Sequence, residues 1–372
     1  MERWTLGDAD LTVSSQQPDT EIEAPALPYR PPVPSNPPPI GLIGCGAITP
    51  YHLDAYRDAG FVVAGFCDID EATAKARRDA YNPKGAVYTD YQALLADPAI
   101  AVVDIATHVE IRSPIIEAAL NAGKHVLSQK PFTLDLAEGE RLADLADARG
   151  LKLAVNQNGR WAPHFSYMRN AIASGLIGDV QAAHLAVHWD HSWTESTVFN
   201  EMPHLILYDF AIHWFDMLHC FLRGHRPVRV YASTARTAAQ TNKPPMLAQV
   251  AVEYEDAQAT IVFDALTRYG ALDTTYVTGT SGALHSSGAD ISHQTLTVYT
   301  AEGIARPRLE GEWFKQGFIG TMAELLCAID ADRAPFNSAR ENLESLSLCF
   351  AALASAETRA PQIPGTIRRM PR

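Results

Sequence analysis

Between residues 40 and 158 the chain alternates short apolar runs with longer segments of helical character. The apolar runs are IGLIG, FVVAGFCD, AVY, AVVDIAT, HVLSQ and KLAVNQN, and a segment with helical spacing separates each from the next. Buried strands of four to eight residues that alternate with helices are typical of right-handed βαβ units and of a parallel sheet with helices on both faces. The alternation therefore predicts a doubly wound α/β domain over residues 40–160.

The pattern changes after about residue 160. Helices are predicted near 163–174, 205–222, 317–330 and 340–358, with a strand near 180–190. The runs VRVYAST, LAQVAVEY, QATIVFDAL, TTYVTGT and TLTVYT predict antiparallel strands joined by polar turns. We therefore expect residues 161–372 to form an α+β domain with a large, mostly antiparallel, open sheet. Helices should cover one face of this sheet, and the other face should contact another subunit of a homodimer or homotetramer.

Residues 1–39 differ from the rest of the chain because they contain nine of its 24 prolines and end in PYRPPVPSNPPP. Proline fixes φ and lacks a backbone donor, so such a segment cannot continue a helix or a central strand and favours extended polyproline II. Two interpretations stay open at this point. The segment is either a disordered tail or an extended arm that lies across its own or a neighbouring subunit.

Charge and cysteine content exclude several classes of protein. Thirty basic and 43 acidic residues give a formal charge of −13, the wrong sign for binding nucleic acid or an anionic membrane surface. The sequence shows no apolar stretch near the 18 or so residues of a membrane helix and no secretory signal pattern. Five dispersed cysteines argue against a disulfide framework and a thiolate zinc site. We expect a cytoplasmic protein whose partners are small molecules.

A glycine-rich loop, GLIGCGAIT, follows the first predicted strand and precedes a helix, which is where a dinucleotide fingerprint belongs. Gly44 permits the tight turn, and Gly46 lets the backbone approach a pyrophosphate that the free N–H groups of the helix stabilise. Thr49 occupies the third glycine position. The expected pyrophosphate contacts are Gly44, Gly46, Ala47 and Ile48.

The second predicted strand ends at Asp68, 24 residues past Gly44. A carboxylate there accepts hydrogen bonds from the adenosine ribose and repels a 2′-phosphate, which favours NAD over NADP. A cap of the next helix is the alternative role for Asp68, and Arg77 and Arg78 keep NADP open. Thr107 and His108 end the fourth strand at the same edge and are expected to contact the cofactor, although His108 could equally be a solvated turn residue.

Four segments share a resemblance to one family. They are GCGAIT at 44–49, AGKHVLSQKPF at 122–132, NQNGRWAP at 156–163 and DFAIHWFD at 209–216. Together they resemble the Gfo/Idh/MocA family of NAD(P)-dependent sugar and cyclitol oxidoreductases over about residues 40–360. The resemblance implies a Rossmann domain followed by a C-terminal domain whose open sheet commonly mediates dimers or tetramers.

The resemblance also implies where the active site lies. The family carries a lysine in a Glu-Lys-Pro triplet, and this chain has Gln-Lys-Pro at 129–131. The second family signature, Asp-x-x-x-His on a helix, corresponds to Asp209 and His213, which the i, i+4 spacing would place on one face together with Asp216. An aspartate beside an imidazole orients the ring and strengthens its hold on a proton, which suits a general base.

Oxidation of a secondary alcohol removes the hydroxyl proton while the hydride on the same carbon passes to the nicotinamide. The resemblance implies that His213 is the base, that Lys130 stabilises the developing alkoxide and that Asp209 orients the base. Exchanged roles of Lys130 and His213 are an alternative, because a lysine beside a positively charged nicotinamide releases its proton more readily. Gln129, Lys130 and Asn158 are expected to contact the cofactor.

The segment HLAVHWDHSWTES at 184–196 combines aromatic faces with polar groups, as carbohydrate pockets do. The expected substrate contacts are Asn156, Arg160, His188, Asp190, His191, Trp193 and His204, beside Lys130, Asp209 and His213. A metal cluster formed by His188, Asp190, His191 and His204 is one alternative, and strand-edge packing is another. Because the spacing matches no familiar zinc motif, we expect no metal.

The sequence therefore predicts an NAD-dependent dehydrogenase of a sugar, glycoside or cyclitol. A second hypothesis uses the same site, because some family members are glycosidases that oxidise a hydroxyl transiently, eliminate the aglycone, hydrate and reduce. A third is a non-catalytic dinucleotide sensor, since a fold does not guarantee activity. The missing glutamate before Lys130 supports the third hypothesis, and the retained Lys130, Asp209 and His213 argue against it.

Overall fold

Six short strands form the first sheet in the computed structural model, which describes residues 19–371. They are β1 (Ile40–Ile43), β2 (Val63–Cys67), β3 (Ala86–Tyr88), β4 (Val102–Ile105), β5 (His125–Ser128) and β6 (Leu153–Val155). All pairs are parallel, in the order β3-β2-β1-β4-β5-β6. The strand order reverses at β1, so the carboxyl ends of β1 and β4 border a crevice. The predicted doubly wound domain is confirmed.

Helices cover both faces of this sheet. They are α1 (Thr49–Ala59), α2 (Glu71–Tyr81), α3 (Tyr91–Leu95), α4 (Val109–Asn121) and α5 (Leu136–Ala148). Asp70, Asp90 and Asp135 cap α2, α3 and α5 by accepting hydrogen bonds from backbone N–H groups. Every residue of β1 and β4 is buried, as is required of strands between two helical layers.

The second sheet has eight strands and follows a 3-10 turn (Asn158–Trp161) and α6 (Pro163–Ala173). The strands are β7 (Val180–His188), β8 (Pro227–Ala235), β9 (Leu247–Tyr254), β10 (Gln258–Asp264), β11 (Leu272–Gly279), β12 (Gly282–Gly288), β13 (Gln294–Thr300) and β14 (Gly303–Ala305). Their order is β14-β13-β12-β11-β7-β10-β9-β8. β7 and β10 run parallel and the other neighbours run antiparallel, which confirms the predicted open sheet.

Side chains of the second sheet alternate between a covered face and an exposed face. On β7, Leu185 and Val187 enter the main hydrophobic core, whereas His188 lies on the opposite face. Side chains of α6, α7 (Ile212–Phe221) and α9 (Ala339–Thr358) close the core on the covered side. The expected contact of the exposed face with another subunit stays a prediction.

Helix α8 (Trp313–Asp330) follows the second sheet in sequence but packs on the first. Its Met322 and Leu325 share a buried cluster with Leu42 and Phe66 of the first sheet. The chain therefore returns to the first domain after the second sheet is complete, so α8 packs on the first domain although it lies after residue 160. The boundaries 1–39, 40–160 and 161–372 stay predictions. Within residues 19–371, no helix combines the length and apolar character needed to cross a bilayer.

Both outer strands of the second sheet pair with an end segment of the chain. Ile22 N donates to Ile304 O at 2.9 Å, and Ile304 N donates to Thr20 O at 2.8 Å, which places the N-terminal arm beside β14. At the other edge, Val230 of β8 exchanges two backbone hydrogen bonds with Gln362, each of 2.8 Å. In residues 19–39 the proline-rich segment is thus an arm on its own chain, and residues 1–18 lie outside the described part.

Candidate active site

The glycine-rich loop lies at the carboxyl edge of the first sheet, directly after β1. Gly44 has a φ of +88°, and a Cβ there would lie 3.0 Å from the carbonyl carbon of Ala106, so the turn requires glycine. A Cβ at Gly46 would meet no described atom within 4 Å. Helix α1 begins at the end of this loop, and no side chain of the described residues caps its first N–H groups. The loop therefore fits a pyrophosphate at the helix N-terminus.

Thr49 at the third glycine position belongs to the hydrogen bonding of the loop. Its Oγ1 donates to Gly46 O at 2.8 Å and accepts from Nε of Arg77 at 3.2 Å. The Arg77 guanidinium also donates to the carbonyls of Cys45 and Gly46, at 3.1 and 3.3 Å. The departure from glycine is accommodated because threonine closes the turn instead of packing against a strand.

Asp68 follows β2 and binds backbone N–H groups on two sides. Oδ2 accepts from Cys45 N at 2.8 Å, and Oδ1 accepts from Asp70 N at 3.0 Å. The N-cap of α2 is Asp70, whose carboxylate accepts from Ala72 N. Asp68 therefore does not cap the helix, and its negative charge sits beside the glycine-rich loop.

Lys130 follows β5, and its bond to Pro131 is cis. The Nζ atom donates to the backbone carbonyl of Asp209 at 2.9 Å and lies 3.3 Å from Oδ1 of the same residue. The lysine side chain is 18% exposed, so a bound molecule can still reach it. The structure therefore brings together two of the three residues to which the family resemblance gives catalytic roles.

Arg112 of α4 supports the lysine loop and was missed in the sequence. The guanidinium is buried and donates to the carbonyls of Thr107, Gln129 and Pro131. Burial lowers the pKa of Arg112 to about 10. Because an arginine in an amphipathic helix normally points to solvent, its sequence position gave no signal of this role.

His213, in the first turn of α7, is oriented by Gln157. Nδ1 lies 3.1 Å from Gln157 Oε1, so this nitrogen carries the proton and Nε2 keeps a lone pair. Trp313 packs edge-on against the ring, with 5.8 Å between centroids. Burial, and then the positive charge of Lys130, hold the pKa of His213 well below its usual range. The imidazole is therefore neutral at neutral pH, as a proton acceptor must be.

The predicted pairing of Asp209 with His213 is wrong. Residues Leu205–Phe210 form a π-helical segment, closed by a bond from Ala211 N to Ile206 O, before α7 begins. Because the helix is interrupted between them, the i, i+4 argument does not apply. Asp209 holds the lysine, and Gln157, which was missed in the sequence, orients the imidazole.

The comparison with known proteins agrees with this geometry. Residues 39–157 match the NAD-binding Rossmann fold of the GFO/IDH/MocA oxidoreductase family, and residues 165–285 match the GFO/IDH/MocA C-terminal domain. The chain belongs to the GFO/IDH/MocA family. The predicted family is thereby confirmed, and the protein is an oxidoreductase with an NAD-binding Rossmann domain.

Two named relatives and one solved structure extend over most of this GFO/IDH/MocA chain. D-apiose dehydrogenase of Paraburkholderia graminis is 26% identical over 345 residues, which cover 85% of this chain and 86% of the relative. Inositol 2-dehydrogenase of Rhizobium meliloti is 27% identical over 334 residues, which cover 86% and 97%. Levoglucosan dehydrogenase in complex with NADH and levoglucosan has the same fold, with a TM-score of 0.76, 19% identity and coverage of 89% and 100%.

In this GFO/IDH/MocA protein Arg160 is not available to a substrate, and its predicted contact is wrong. The side chain is completely buried, with Nε and Nη2 each 2.7 Å from a carboxylate oxygen of Asp216. Ser345 Oγ donates to the same carboxylate at 2.8 Å. The 3-10 turn after β6 directs this arginine into the interior, where a bidentate ion pair compensates its charge.

Two predicted amide contacts are also corrected. Asn156 is completely buried, and its Nδ2 lies 3.4 Å from Nε2 of His52 behind the lysine loop. Asn158 accepts a hydrogen bond from Trp313 Nε1 at 2.8 Å. Because Asn156 is completely buried, a substrate does not reach it, and the Asn158 carbonyl oxygen is bonded to Trp313 instead of the cofactor.

Two histidines predicted to bind the substrate point elsewhere. His188 lies on the exposed face of the second sheet, with Nδ1 2.8 Å from Asp264 Oδ2 on the neighbouring strand. His204 Nε2 is 3.0 Å from Glu357 Oε1, a distance typical of an ion pair but without hydrogen-bond alignment. Among residues 19–371, three or more metal-ligating side chains do not gather at any point, so the alternative cluster does not assemble.

Two further predicted substrate residues, His191 and Trp193, belong to an aromatic wall, defined as Trp189, His191, Trp193, Phe199 and Phe210. His191 stacks on Trp189 at 5.6 Å and lies 4.6 Å from Phe210, the residue after Asp209. Burial lowers the pKa of His191 to about 4, so the ring is neutral. Trp193 is 51% exposed and contacts Phe199 and Phe210. The wall therefore includes the residue next in sequence to the partner of Lys130, and Trp193 offers exposed aromatic surface.

Three expected site residues outside the wall differ in accessibility. Asp190 is exposed and accepts from Ser192 N at 2.9 Å. His108 is exposed and immediately precedes α4 as its N-cap residue. Thr107 Oγ1 is buried and has no hydrogen-bond partner in the described part of the chain. An unsatisfied hydroxyl at the carboxyl end of β4 fits a bound polar group, as the cofactor would supply.

Proposed function

We propose that this GFO/IDH/MocA oxidoreductase catalyses the NAD-dependent oxidation of a secondary hydroxyl of a sugar, glycoside or cyclitol. The observation that carries the proposal is the site formed by Lys130 and His213. It joins an ammonium group bonded to Asp209 with a neutral imidazole whose Nε2 is free among the described residues. The relatives are named for apiose, inositol and levoglucosan, which supports this substrate class.

The residues of the site divide the proton chemistry. Nicotinamide, when bound, supplies the hydride acceptor. His213 accepts the hydroxyl proton at Nε2, because Gln157 occupies Nδ1. Lys130 stabilises the developing alkoxide as a cation. Its Nζ already donates to the backbone carbonyl and the carboxylate of Asp209, which supports a role for Lys130 as donor and for His213 as the base.

The carboxylate of Asp68 supports NAD as the cofactor. Its negative charge lies beside the glycine-rich loop, where it would attract a ribose hydroxyl and repel a 2′-phosphate. The two arginines that could bind such a phosphate are already engaged, Arg77 with the loop carbonyls and Arg78 with Asp79. We expect kcat/KM for NAD to exceed that for NADP at least about 10-fold, and Asp68→Ala to reduce this ratio.

The decisive experiment incubates the protein with NAD and a panel of free sugars, cyclitols and aryl glycosides. NADH absorbance and aglycone release are followed in the same samples. Growth of NADH supports the proposed dehydrogenase. Release of aglycone at constant NADH would instead establish the glycosidase hypothesis, which draws no support from these relatives because all three are named as dehydrogenases.

Variants then test the assignment of the site. Lys130→Met and His213→Asn should each lower kcat by about 10²-fold or more while NAD still binds. Lys84→Met, which changes an exposed lysine away from the site, is the matched control and should remain fully active. Normal turnover in both site variants would refute the mechanism, whereas a wild type that binds NAD but turns over no member of the panel would revive the sensor hypothesis for this fold.

A further inference from the structure

Gln129 precedes the lysine at the position where the family triplet has glutamate. Its side chain is 7% exposed and lies between two partners. Oε1 accepts a hydrogen bond from the backbone N–H of Lys130 at 2.7 Å, and Nε2 lies 3.2 Å from Nε2 of His52. The amide therefore links the lysine loop to α1, the helix that begins at the glycine-rich loop.

The other contacts of His52 determine which ring nitrogen carries the proton. Nδ1 lies 2.7 Å from Oδ2 of Asp104, and the hydroxyl of Tyr56 donates to the same oxygen at 2.7 Å. Oδ2 of Asp104 accepts from Nδ1, so Nδ1 is the donor. Because Gln129 Oε1 is occupied by the Lys130 N–H, its NH2 group faces Nε2 of His52, and this nitrogen is the acceptor. The amide of Asn156 presents a second N–H to this nitrogen, at 3.4 Å.

The two ends of the Gln129 amide are not interchangeable here. A flipped amide would direct its NH2 group at the backbone N–H of Lys130 and its carbonyl at the lone pair of His52, which gives two repulsive contacts. In the observed arrangement Asp104 accepts from His52, and His52 accepts from Gln129. Gln129 in turn accepts from the backbone of the lysine.

Asp104, His52, Gln129 and the backbone of Lys130 thus form one hydrogen-bonded series. Charged groups approach this series from several elements. Asp104 on β4 is its acidic member, and Arg112 on α4 donates to the backbone carbonyl of Gln129. The lysine ammonium is bonded to Asp209, and α8 contributes an apolar contact, with Phe318 4.4 Å from the imidazole centroid. Because the series is buried, a further charge placed in it would lack water to stabilise it.

We propose that Gln129 is a positioning residue, which fixes the backbone of Lys130 through an amide matched to a neutral His52. The proposal rests on the proposed function, in which the lysine stabilises the alkoxide. The ammonium is then positioned from α1 as well as by Asp209. A carboxylate at residue 129 would place an acceptor oxygen against the acceptor Nε2 of His52 unless a proton were added, so the amide makes this contact without a protonation step.

The test compares Gln129→Glu with Gln129→Met. The glutamate variant keeps the acceptor for the Lys130 N–H but loses the donor to His52, so it needs one added proton shared with the imidazole. Methionine has a similar length and supplies neither group. Alcohol oxidation is measured against pH, and hydrogen exchange of the Lys130 backbone N–H is followed in the same proteins, corrected for the intrinsic exchange rate.

We expect the glutamate variant to approach the wild-type kcat near about pH 6 and to fall about 10-fold or more below it near about pH 9, as the shared proton is lost. Its KM for NAD should change little. The methionine variant should lose a similar factor at every pH. Exchange of the Lys130 N–H should be faster in the methionine variant at all pH values, and in the glutamate variant at high pH.

Equal pH profiles in wild type and the glutamate variant, with unchanged exchange, would overturn the proposal. A methionine variant that melts at the wild-type temperature and keeps the wild-type kcat and exchange rate would overturn it as well, even if the glutamate variant did not fold. A wild-type protein that oxidises no sugar or cyclitol would contradict the proposed function instead. The exchange data would still decide the role of Gln129, because they do not depend on turnover.

Discussion

Arg160, Arg112 and His213 are three basic side chains withdrawn from water, and the structure compensates each differently. Arg160 meets the carboxylate of Asp216 in a bidentate pair. Arg112 meets backbone carbonyl oxygens, and His213 stays neutral. The first arrangement fixes a turn, the second fixes a loop and the third leaves a lone pair for chemistry. Residue type therefore does not reveal the role of a buried base, whereas its partners do.

The neutral state of His213 predicts an unusual acid limit of activity. Because burial and Lys130 lower the pKa of the imidazole, kcat/KM for alcohol oxidation should not decline through the ordinary histidine range near about 6.5 but at lower pH. A pH–rate profile of the wild type measures this. In Lys130→Met the residual activity should decline at a higher pH than in the wild type, because the positive charge that helps to lower the pKa of His213 is gone. A wild-type limb at or above the ordinary range would contradict the assignment.

Asp273 on β11 predicts a pH dependence of stability. Its side chain is buried, and Oδ2 has no hydrogen-bond partner among residues 19–371. Burial, and then the charge of Asp290, raise the pKa of Asp273 to about 7 from the ordinary 3.8. The native state therefore binds this proton more tightly than the unfolded chain, so the free energy of unfolding should fall as pH rises from about 4 to about 7.

The isosteric variant Asp273→Asn should remove this slope. Above about pH 7 it is expected to be more stable than the wild type by roughly 1–4 kcal/mol, because the wild type must bury a charge there. Denaturant titrations of both proteins at several pH values measure the difference. A stability difference that does not vary with pH would show that the carboxyl does not titrate in this range.

At the scale of elements, the sequence predicted what depends on local pattern. The six strands of the first sheet were found because each is a short apolar run between helical segments. The strand β12, GALHSSG, was missed because glycine and serine dilute its alternation, and β14, GIA, because a single large apolar residue forms no recognisable run. The single helix predicted over 205–222 is in fact a π-helical segment followed by α7. The spacing of apolar residues in the sequence does not distinguish one π-helical turn from an α-helix.

The site shows the same limit. Lys130, Asp209 and His213 could be located by motif, whereas side-chain directions could not. His188 points away because of the strand pleat, which depends on register. The partners Gln157 and Arg112 lie far along the chain from the groups they orient, so local spacing carries no signal of either contact.

The loop between β1 and α1 offers a matched pair of glycine variants. Gly44→Ala forces a side chain into a φ of +88° and against Ala106, so it should lower stability by about 1–3 kcal/mol and also weaken NAD binding. Gly46→Ala should leave the melting temperature unchanged, because its methyl group meets no described atom. It should still weaken NAD binding at least about 10-fold by filling the approach to the pyrophosphate.

Thermal melts and titrations with NAD separate the two effects. Equal affinity of Gly46→Ala and wild type for NAD would mean that the pyrophosphate does not approach this glycine. A Gly44→Ala protein with wild-type stability would mean that the turn can relax without cost.

At the scale of the whole molecule, segments distant in sequence hold the two sheets together. Helix α8 packs on the first sheet after the second is complete. The arm runs from β14 across α6, where Tyr167 OH donates to Pro25 O at 2.8 Å, and Ser35 N reaches Asp330 Oδ2 at the end of α8 at 3.1 Å. Two segments thus connect the nucleotide-binding domain to the second domain: the arm, which precedes it in the sequence, and α8, which follows it.

Removal of residues 1–30 should lower the free energy of unfolding by about 2 kcal/mol, because half-buried Ile22 and Leu27 would leave the main core. Denaturant titration measures the change. Glu21→Ala, which breaks an exposed ion pair with Arg306 and keeps the arm, is the control and should change stability little. Equal stability of the truncated and full chains would show that the arm contributes no net packing.

The pairing of end segments with β14 and β8 has a consequence for how copies of the chain can meet. An outer strand with open backbone groups is a template on which other chains add strands, and this is a common route to aggregation. Here Ile304 and Val230 already exchange their backbone hydrogen bonds with the arm and with Gln362. Growth of the sheet sideways is thereby opposed at Ile304 and Val230. We therefore predict that any association of folded copies uses the broad face of the sheet.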